Sequence, residues 1–328
     1  MIIEKCTEKA YAKINLWLDV IGKRKDGYHD IESVMQTVSL CDTVTVENTD
    51  GGSPELLISG DMASDDLISL PDDKNLCVRA AKLFFEKAAK KLEKIPSENV
   101  GSESGTPDCM SKQASGNGVA HTSKCDRSVR IILEKRIPSA AGLGGGSADA
   151  AAVLRAMNKM FSNLFSKSEL CTFSAELGAD VPFCINGGTY IAEGIGERLS
   201  ETDDMPDCHI VIAYISGKSS TGKAYGLLDS QKDYIKRDFM SFRKAISHGD
   251  IKKIAGMMYN RFETLYPTEL CPVKDIMREN GALNQMMSGS GLSVFGIFDS
   301  IRAAEVACSK LTEAGYRAFV TRPTRNVE

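Results

Sequence analysis

The chain has 328 residues, 42% apolar and 26% charged, with a formal net charge of −4. That length builds one large or two smaller units with a sizeable core, and the absence of a basic excess excludes a global nucleic-acid surface while leaving room for a phosphorylated small molecule held by a few local donors. The N-terminal residues carry charges throughout and lack the apolar stretch of a signal peptide, no apolar run approaches the ~20 residues of a membrane span, and the ten cysteines form no C-x-x-C pair, so they read as reduced core residues of a cytoplasmic protein.

In chain order, residues 10–21 are apolar and strand-like, and Asp26-Gly27 marks a turn. "IESVMQTVSL" and "DTVTVEN" read as two further short strands, the second alternating Val44 and Val46 with polar residues. Residues 72–94 form a helix that Asp72 or Asp73 can cap, with Leu76, Ala80, Leu83 and Phe84 on one face. Residues 97–127 contain no Ile, Leu, Phe, Tyr or Trp and read as a mobile surface insertion. Cys109, His121 and Cys125 lie within it at a spacing that matches no standard zinc pattern. A strand at 129–135 leads to a glycine stretch and a helix from about Ser147 to Phe161. A second helix, 166–178, stops at Gly178. A hairpin at 187–199, a buried strand at 209–215 and mostly helical residues over 223–264 follow. The closing strand, helix and strand imply an α+β second unit, with a division near 165: residues 1–165 and 166–328.

"IPSAAGLGGGSADAAAVL", residues 137–154, is the most informative stretch. A bare backbone entering a helix is a phosphate cradle: without Cβ atoms the chain approaches an anion closely, and the first helical N–H groups have no internal partner. It is not a Walker A loop, because no Gly-Lys-Ser/Thr ends it, and its glycines are wrongly spaced for a dinucleotide fingerprint. Ser147 can offer its hydroxyl to phosphate or to a magnesium ion.

"PSAAGLGGGSADAA" resembles the second signature of the GHMP kinases, the superfamily of galactokinase, homoserine kinase, mevalonate kinase and phosphomevalonate kinase. "AYAKINLWLDVIGKRKDGYHDIESVMQTVSL" (10–40), "ELGADVPFCINGGTYIAEGIGERL" (176–199) and "MSGSGLSVFGIF" (287–298) are similar to further segments of the same superfamily. They are most similar to a member whose acceptor alcohol carries cytidine diphosphate. The resemblance covers most of the chain outside 97–127. It implies a two-domain α+β fold, with a ribosomal S5 domain 2-like N-terminal domain that binds ATP and a ferredoxin-like C-terminal domain. It also implies ATP and Mg2+ as cofactors, a small-molecule substrate, no nucleic-acid or membrane partner, and a monomer or homodimer.

The same resemblance implies roles for individual residues. Asp180 takes the proton of the substrate hydroxyl or orients it, and Lys13 stands beside it as the cation. Asn15, two residues on along the strand, shares the face of Lys13 and meets the substrate. Tyr28 and His29 hold the cytidine moiety, with Tyr225 as a second aromatic against the base. Pro138, Ser139, Ala140, Ala141, Gly142, Leu143, Gly144, Gly145, Gly146, Ser147 and Ala148 cradle the ATP phosphates. Asn75 and Leu76 lie near the adenine, and Ser147 is the candidate magnesium ligand. The turn Ser288-Gly289-Ser290-Gly291 lets the second domain close on the site. Read without the resemblance, Asn75 serves equally well as a helix cap, Asp180 as a cap, and Lys13 as an edge-strand lysine. Two other functions fit the fold: a kinase for another small alcohol of the homoserine or mevalonate type, and a catalytically silent nucleotide-binding protein.

Overall fold

In a computed structural model, residues 3–63, 67, 70–71, 73–94, 127–215, 221–231, 235–325 and 327 are described. Most of the 97–127 insertion, with Cys109, His121 and Cys125, lies outside them.

Two long antiparallel strands, β1 (Lys5–Lys23) and β2 (His29–Asp50), form the spine of the larger sheet. The two short strands expected over 31–48 are one strand. The reason lies on the far edge of β2, which β5 (Thr189–Gly194) pairs over 31–36 and β4 (Arg127–Glu134) pairs over 43–50. Between them the register with β1 slips, Tyr11 facing Cys41 but Lys13 facing Thr37. There Thr37 and Ser39 bond instead to Gly188, Arg322 and Thr324. The sheet is completed by β3 (Glu55–Ser59), β6 (Arg198–Glu201) and the two-residue β8 (Tyr259–Asn260) in the order β3-β4-β2-β1-β8, with β5 and β6 branching from β2.

Four helices cover one face: α1 (Leu76–Leu92), α2 (Gly145–Met160), α3 (Lys167–Ser174) and α4 (Val181–Asn186). Asn75, not Asp73, caps α1, because its side-chain oxygen accepts from Cys77 N at 2.9 Å. Helix α3 is opened by a Ser166–Glu169 capping box and ends at Ser174, short of Gly178; turn bonds such as Leu177 N to Ser174 O carry the chain onward. Ala-rich α2 is buried almost all round, its small side chains letting it lie close to β1 and α1.

The smaller sheet has the order β11-β7-β10-β9, with β7 (His209–Tyr214), β9 (Asn284–Ser288), β10 (Ser293–Phe298) and β11 (Arg317–Thr321). Helices α5 (Thr221–Asp229), α6 (Phe239–His248), α7 (Ile251–Met257) and α8 (Pro267–Glu279), with a 3₁₀ turn at Arg261–Leu265, connect β7 to β9, and α9 (Ile301–Glu313) connects β10 to β11. Strands β11 and β10 flank β7 and β9 lies at the far edge beside β10, the split arrangement of a ferredoxin-like unit. Relative to the expected division after 165, β5 and β6 still pair within the larger sheet, and the smaller sheet draws only on residues from His209 onward.

The continuous apolar run of β7 is explained by burial on both faces. Ile210 and Ile212 pack toward the larger sheet with Ile14, Leu16 and Trp17, while Val211 and Ala213 pack outward with Phe262, Val273 and Ala304. The molecule is therefore four layers: helices, larger sheet, smaller sheet, helices. The two sheets meet where the glycine stretch reaches the 288–291 turn.

Candidate active site

The glycine stretch is stitched to β1 by its backbone. Lys13 N donates to Leu143 O at 2.9 Å. Gly144, with φ +67°, takes the N-cap position of α2 and makes no side-chain cap bond, so no side chain competes for the first-turn N–H groups. A Cβ on Gly144 would stand 2.9 Å from Lys13 Cγ, so only glycine lets the lysine stem lie along the loop. Exposed Gly146 and half-buried Ser147 sit in the first turn of α2, with Leu76 3.5 Å from the position of a Gly146 Cβ. The start of α1 is thus beside the start of α2.

The Ser288–Gly291 turn packs backbone to backbone on this loop. Ser288 Oγ donates to Gly142 O at 2.9 Å, and a Cβ on Gly142 (φ +78°) would lie 2.0 Å from Ser288 O. Asn260, 3% exposed, holds the turn from below by donating to the carbonyls of Met287 and Gly289, each at 2.8 Å.

Lys13 is buried. Its Nζ lies 2.8 Å from Asn15 Oδ1 and 3.5 Å from Asp180 Oδ2. Asn15 in turn donates to Ser33 Oγ, and Ser33 to Trp17 O, so the amide is fixed with its oxygen toward the ammonium. Asp180 stands at the N-cap position of α4 but makes no cap bond, and its side chain is 34% exposed. Its carboxylate is therefore left for Lys13 and for solvent. Lys13 and Asp180, 167 residues apart in sequence, meet beside the glycine loop.

A second cluster lies at the β1–β2 turn. Tyr28 is 60% exposed, and among the described residues no ring contact joins it to Tyr225. His29 instead stacks on Tyr225 at 4.7 Å and 23°, and Tyr225 meets Phe262 edge-on at 5.0 Å. Burial, with Asp180 adding to it, pushes the Tyr225 hydroxyl up to about 12. Asp229, which sequence reasoning missed, receives His29 Nε2 at 2.6 Å and Lys23 Nζ at 2.7 Å.

Also missed was a buried charged triad behind the loop. Lys135 Nζ donates to Asp42 and, at 2.8 Å, to Asp149 Oδ2, while Asp42 also accepts from Ile137 N at 2.8 Å and from Arg136 N. The ammonium lies 3.4 Å from where a Gly145 Cβ would be. Burial above all, and Asp42 beside it, push the Asp149 carboxyl up to about 8 despite Lys135. Burial acts to lower Lys135, but Asp149 and Asp42 outweigh it and raise the ammonium well above the usual lysine range. The one sequence signal was a lysine directly before "RIPSAAG".

The family profile of the GHMP kinases N terminal domain matches residues 110–188, and that of the GHMP kinases C terminal matches 242–317. The 4-diphosphocytidyl-2-C-methyl-D-erythritol kinase of Caldicellulosiruptor saccharolyticus is 38% identical over 306 residues, covering 90% of this chain and 91% of its own. A crystal structure of 4-(cytidine 5'-diphospho)-2C-methyl-D-erythritol kinase superposes with a TM-score of 0.70 at 30% identity, covering 97% of this chain and 98% of its own. Homoserine kinase from Cytophaga hutchinsonii has a TM-score of 0.68 at 17% identity, covering 100% and 97%, and shares the fold alone. Among the described residues no helix is long and apolar enough to cross a membrane.

Proposed function

The chain belongs to the family of 4-diphosphocytidyl-2-C-methyl-D-erythritol kinases within the GHMP kinases, and from that premise we infer that it transfers the γ-phosphoryl group of ATP to the 2-hydroxyl of 4-diphosphocytidyl-2-C-methyl-D-erythritol. The reaction is a step of non-mevalonate isoprenoid precursor synthesis in the cytoplasm. The observation that carries this reading is the meeting of Lys13 and Asp180, 3.5 Å apart, at a loop whose Gly144 is packed on the lysine itself.

Phosphoryl transfer asks for positioning and charge stabilisation rather than covalent chemistry. The loop of residues 138–148 receives the polyphosphate at the start of α2, where the helix dipole favours it; its N–H donors lie between Ser139 and Ser147, since Pro138 has none and Ala148 N is bonded to Gly144 O. Leu76, beside Gly146, forms an apolar wall on which the adenine lies, and Asn75 shapes that wall as the α1 cap. Asp180 orients the acceptor hydroxyl and accepts its proton as transfer proceeds. Lys13 pairs with that carboxylate and offers positive charge to the moving phosphoryl group. Asn15 keeps the ammonium in place and presents its amide to the acceptor. Tyr28, His29 and Tyr225 take the cytosine ring, the exposed Tyr28 closing over it.

Among the described residues no group of three His, Cys, Asp or Glu side chains could hold a metal. Magnesium keeps phosphate and water oxygens as most of its ligands and asks the protein for one or two. Ser147, half-buried in the first turn of α2, is the residue that would hold it. When bound, the ion neutralises polyphosphate charge.

The test is a coupled ADP-release assay with the cytidylylated alcohol. Lys13→Ala and Asp180→Ala should each lose at least a thousandfold in turnover, with ATP binding largely kept in Asp180→Ala. Cytidine nucleotides should compete with the acceptor, as they would not for a kinase of homoserine or mevalonate. Normal turnover by Asp180→Ala, or indifference to cytidine nucleotides, overturns the reading.

A further inference from the structure

Tyr225 and Asp229 are four residues apart on α5, so they share one helix face. That face grips the β1–β2 turn of the other sheet at two side chains, His29 and Lys23. The His29 ring is stacked on Tyr225 at 4.7 Å, and its Nε2 is bonded to Asp229 Oδ1 at 2.6 Å. The His29 side chain is only 8% exposed, while its neighbour Tyr28 is open to solvent. The second Asp229 oxygen holds Lys23 at 2.7 Å, from the other side of the same turn. Tyr225 is itself backed by Phe262 and packs in the outer core of the smaller sheet. Lys23 first, and His29 with it, hold the Asp229 carboxyl below the usual carboxylate range.

A carboxylate oxygen at Nε2 requires that nitrogen to carry the hydrogen, which fixes tautomer and ring plane together. Neither the stack nor the ion pair would do this alone: stacking leaves the ring free to flip, and a lysine contact does not touch the imidazole.

We propose that Asp229 is a positioning residue for acceptor binding, acting through His29: it holds the imidazole as the Nε2–H form, flat on Tyr225, so that the His29 segment and the Tyr225 ring meet the base in one preset arrangement. The proposal rests on the kinase reading above. Preorganisation of this kind acts on acceptor affinity and leaves the phosphoryl donor untouched.

Asp229→Ala should raise KM for the cytidylylated alcohol about tenfold while kcat and KM for ATP stay within about twofold. Asp229→Asn keeps an acceptor oxygen and should recover most of that loss. A second readout needs no substrate. The chain has four histidines, so ¹⁵N-histidine labelling gives a resolvable spectrum in which His29→Gln assigns the His29 signals. The wild type should show an Nε2–H ring at His29, Asp229→Ala a mixture of tautomers, and Asp229→Asn the wild-type pattern. An unchanged acceptor KM in Asp229→Ala, an unchanged His29 spectrum, or equal loss in kcat and ATP affinity overturns the proposal. If the wild type turns over no cytidylylated alcohol, the kinase reading falls, and with it the acceptor role; the spectrum then still decides whether Asp229 sets the ring.

Discussion

Replacing Asp149 by asparagine separates a buried ion pair from a buried acid. Asp149, Asp42 and Lys135 are all at most 3% exposed, and one ammonium faces two carboxyl groups. The other groups that meet Asp149 electrostatically are the thiols of Cys77 on α1 and Cys184 on α4, neither of which brings positive charge. Burial raises the Asp149 carboxyl from 3.8 in a free chain to about 8 in the fold. Between those values the unfolded chain has released the proton and the folded one has kept it. Stability is then fully present below about pH 4 and falls as pH rises toward 8, by about 1.4 kcal/mol per pH unit. Over the whole window the loss is on the order of 5 kcal/mol. Asparagine has the shape of the protonated acid and does not titrate. Urea unfolding at half-unit steps from pH 4.5 to 8.5 should therefore show Asp149→Asn gaining on the wild type by several kcal/mol as pH rises. A gap that is flat with pH, or that widens in favour of the wild type, would mean that Asp149 is ionised throughout and pairs with Lys135 as an ordinary salt bridge.

The remaining predictions concern the loop and the turn against it. Gly144→Ala places a Cβ 2.9 Å from Lys13 Cγ at a left-handed φ, and should cut turnover about a hundredfold while leaving the circular dichroism spectrum intact, because the loop shifts but α2 does not. Gly142→Ala meets Ser288 O at 2.0 Å and should lower both turnover and the thermal midpoint, a backbone clash costing about 1–3 kcal/mol. Asn260→Leu leaves the Met287 and Gly289 carbonyls without their side-chain donor and should cost about 2 kcal/mol by urea unfolding, with KM for ATP rising because the turn no longer holds Gly142.

Much of the candidate site was legible because its residues lie in contiguous stretches. The glycine stretch needs its bare backbone and its helix side by side in sequence, and "AKIN" sets Lys13 and Asn15 on one strand face. The fold class was legible for the same reason: β7 and the closing strand–helix–strand each declare themselves by local pattern. What stayed hidden is what depends on distant partners. β2 read as two strands because its middle gives up the regular ladder to Gly188 and the C-terminal residues, although two successive neighbours hold its ends in one sheet. Asp42, Lys135 and Asp149 look like routine members of a strand, a strand end and a helix. Their separations of 93 and 14 residues carry no motif. Asp229 is 200 residues from His29.

The hidden residues share a role as well as a cause. Asp42 and Lys135 hold the approach to the loop, Asn260 holds the turn that backs it, and Asp229 holds the His29 ring. None of them needs to touch a ligand to do so. A site that must align a polyphosphate, a hydroxyl and a nucleobase from both sheets has its reactive groups in short motifs, where the ligand's shape dictates the spacing. The groups that keep them aligned have to come from wherever the two layers happen to meet. Their types are therefore set by the contact, a carboxylate where an imidazole or ammonium arrives and an amide where two carbonyls do, and the contact exists only once both sheets have formed.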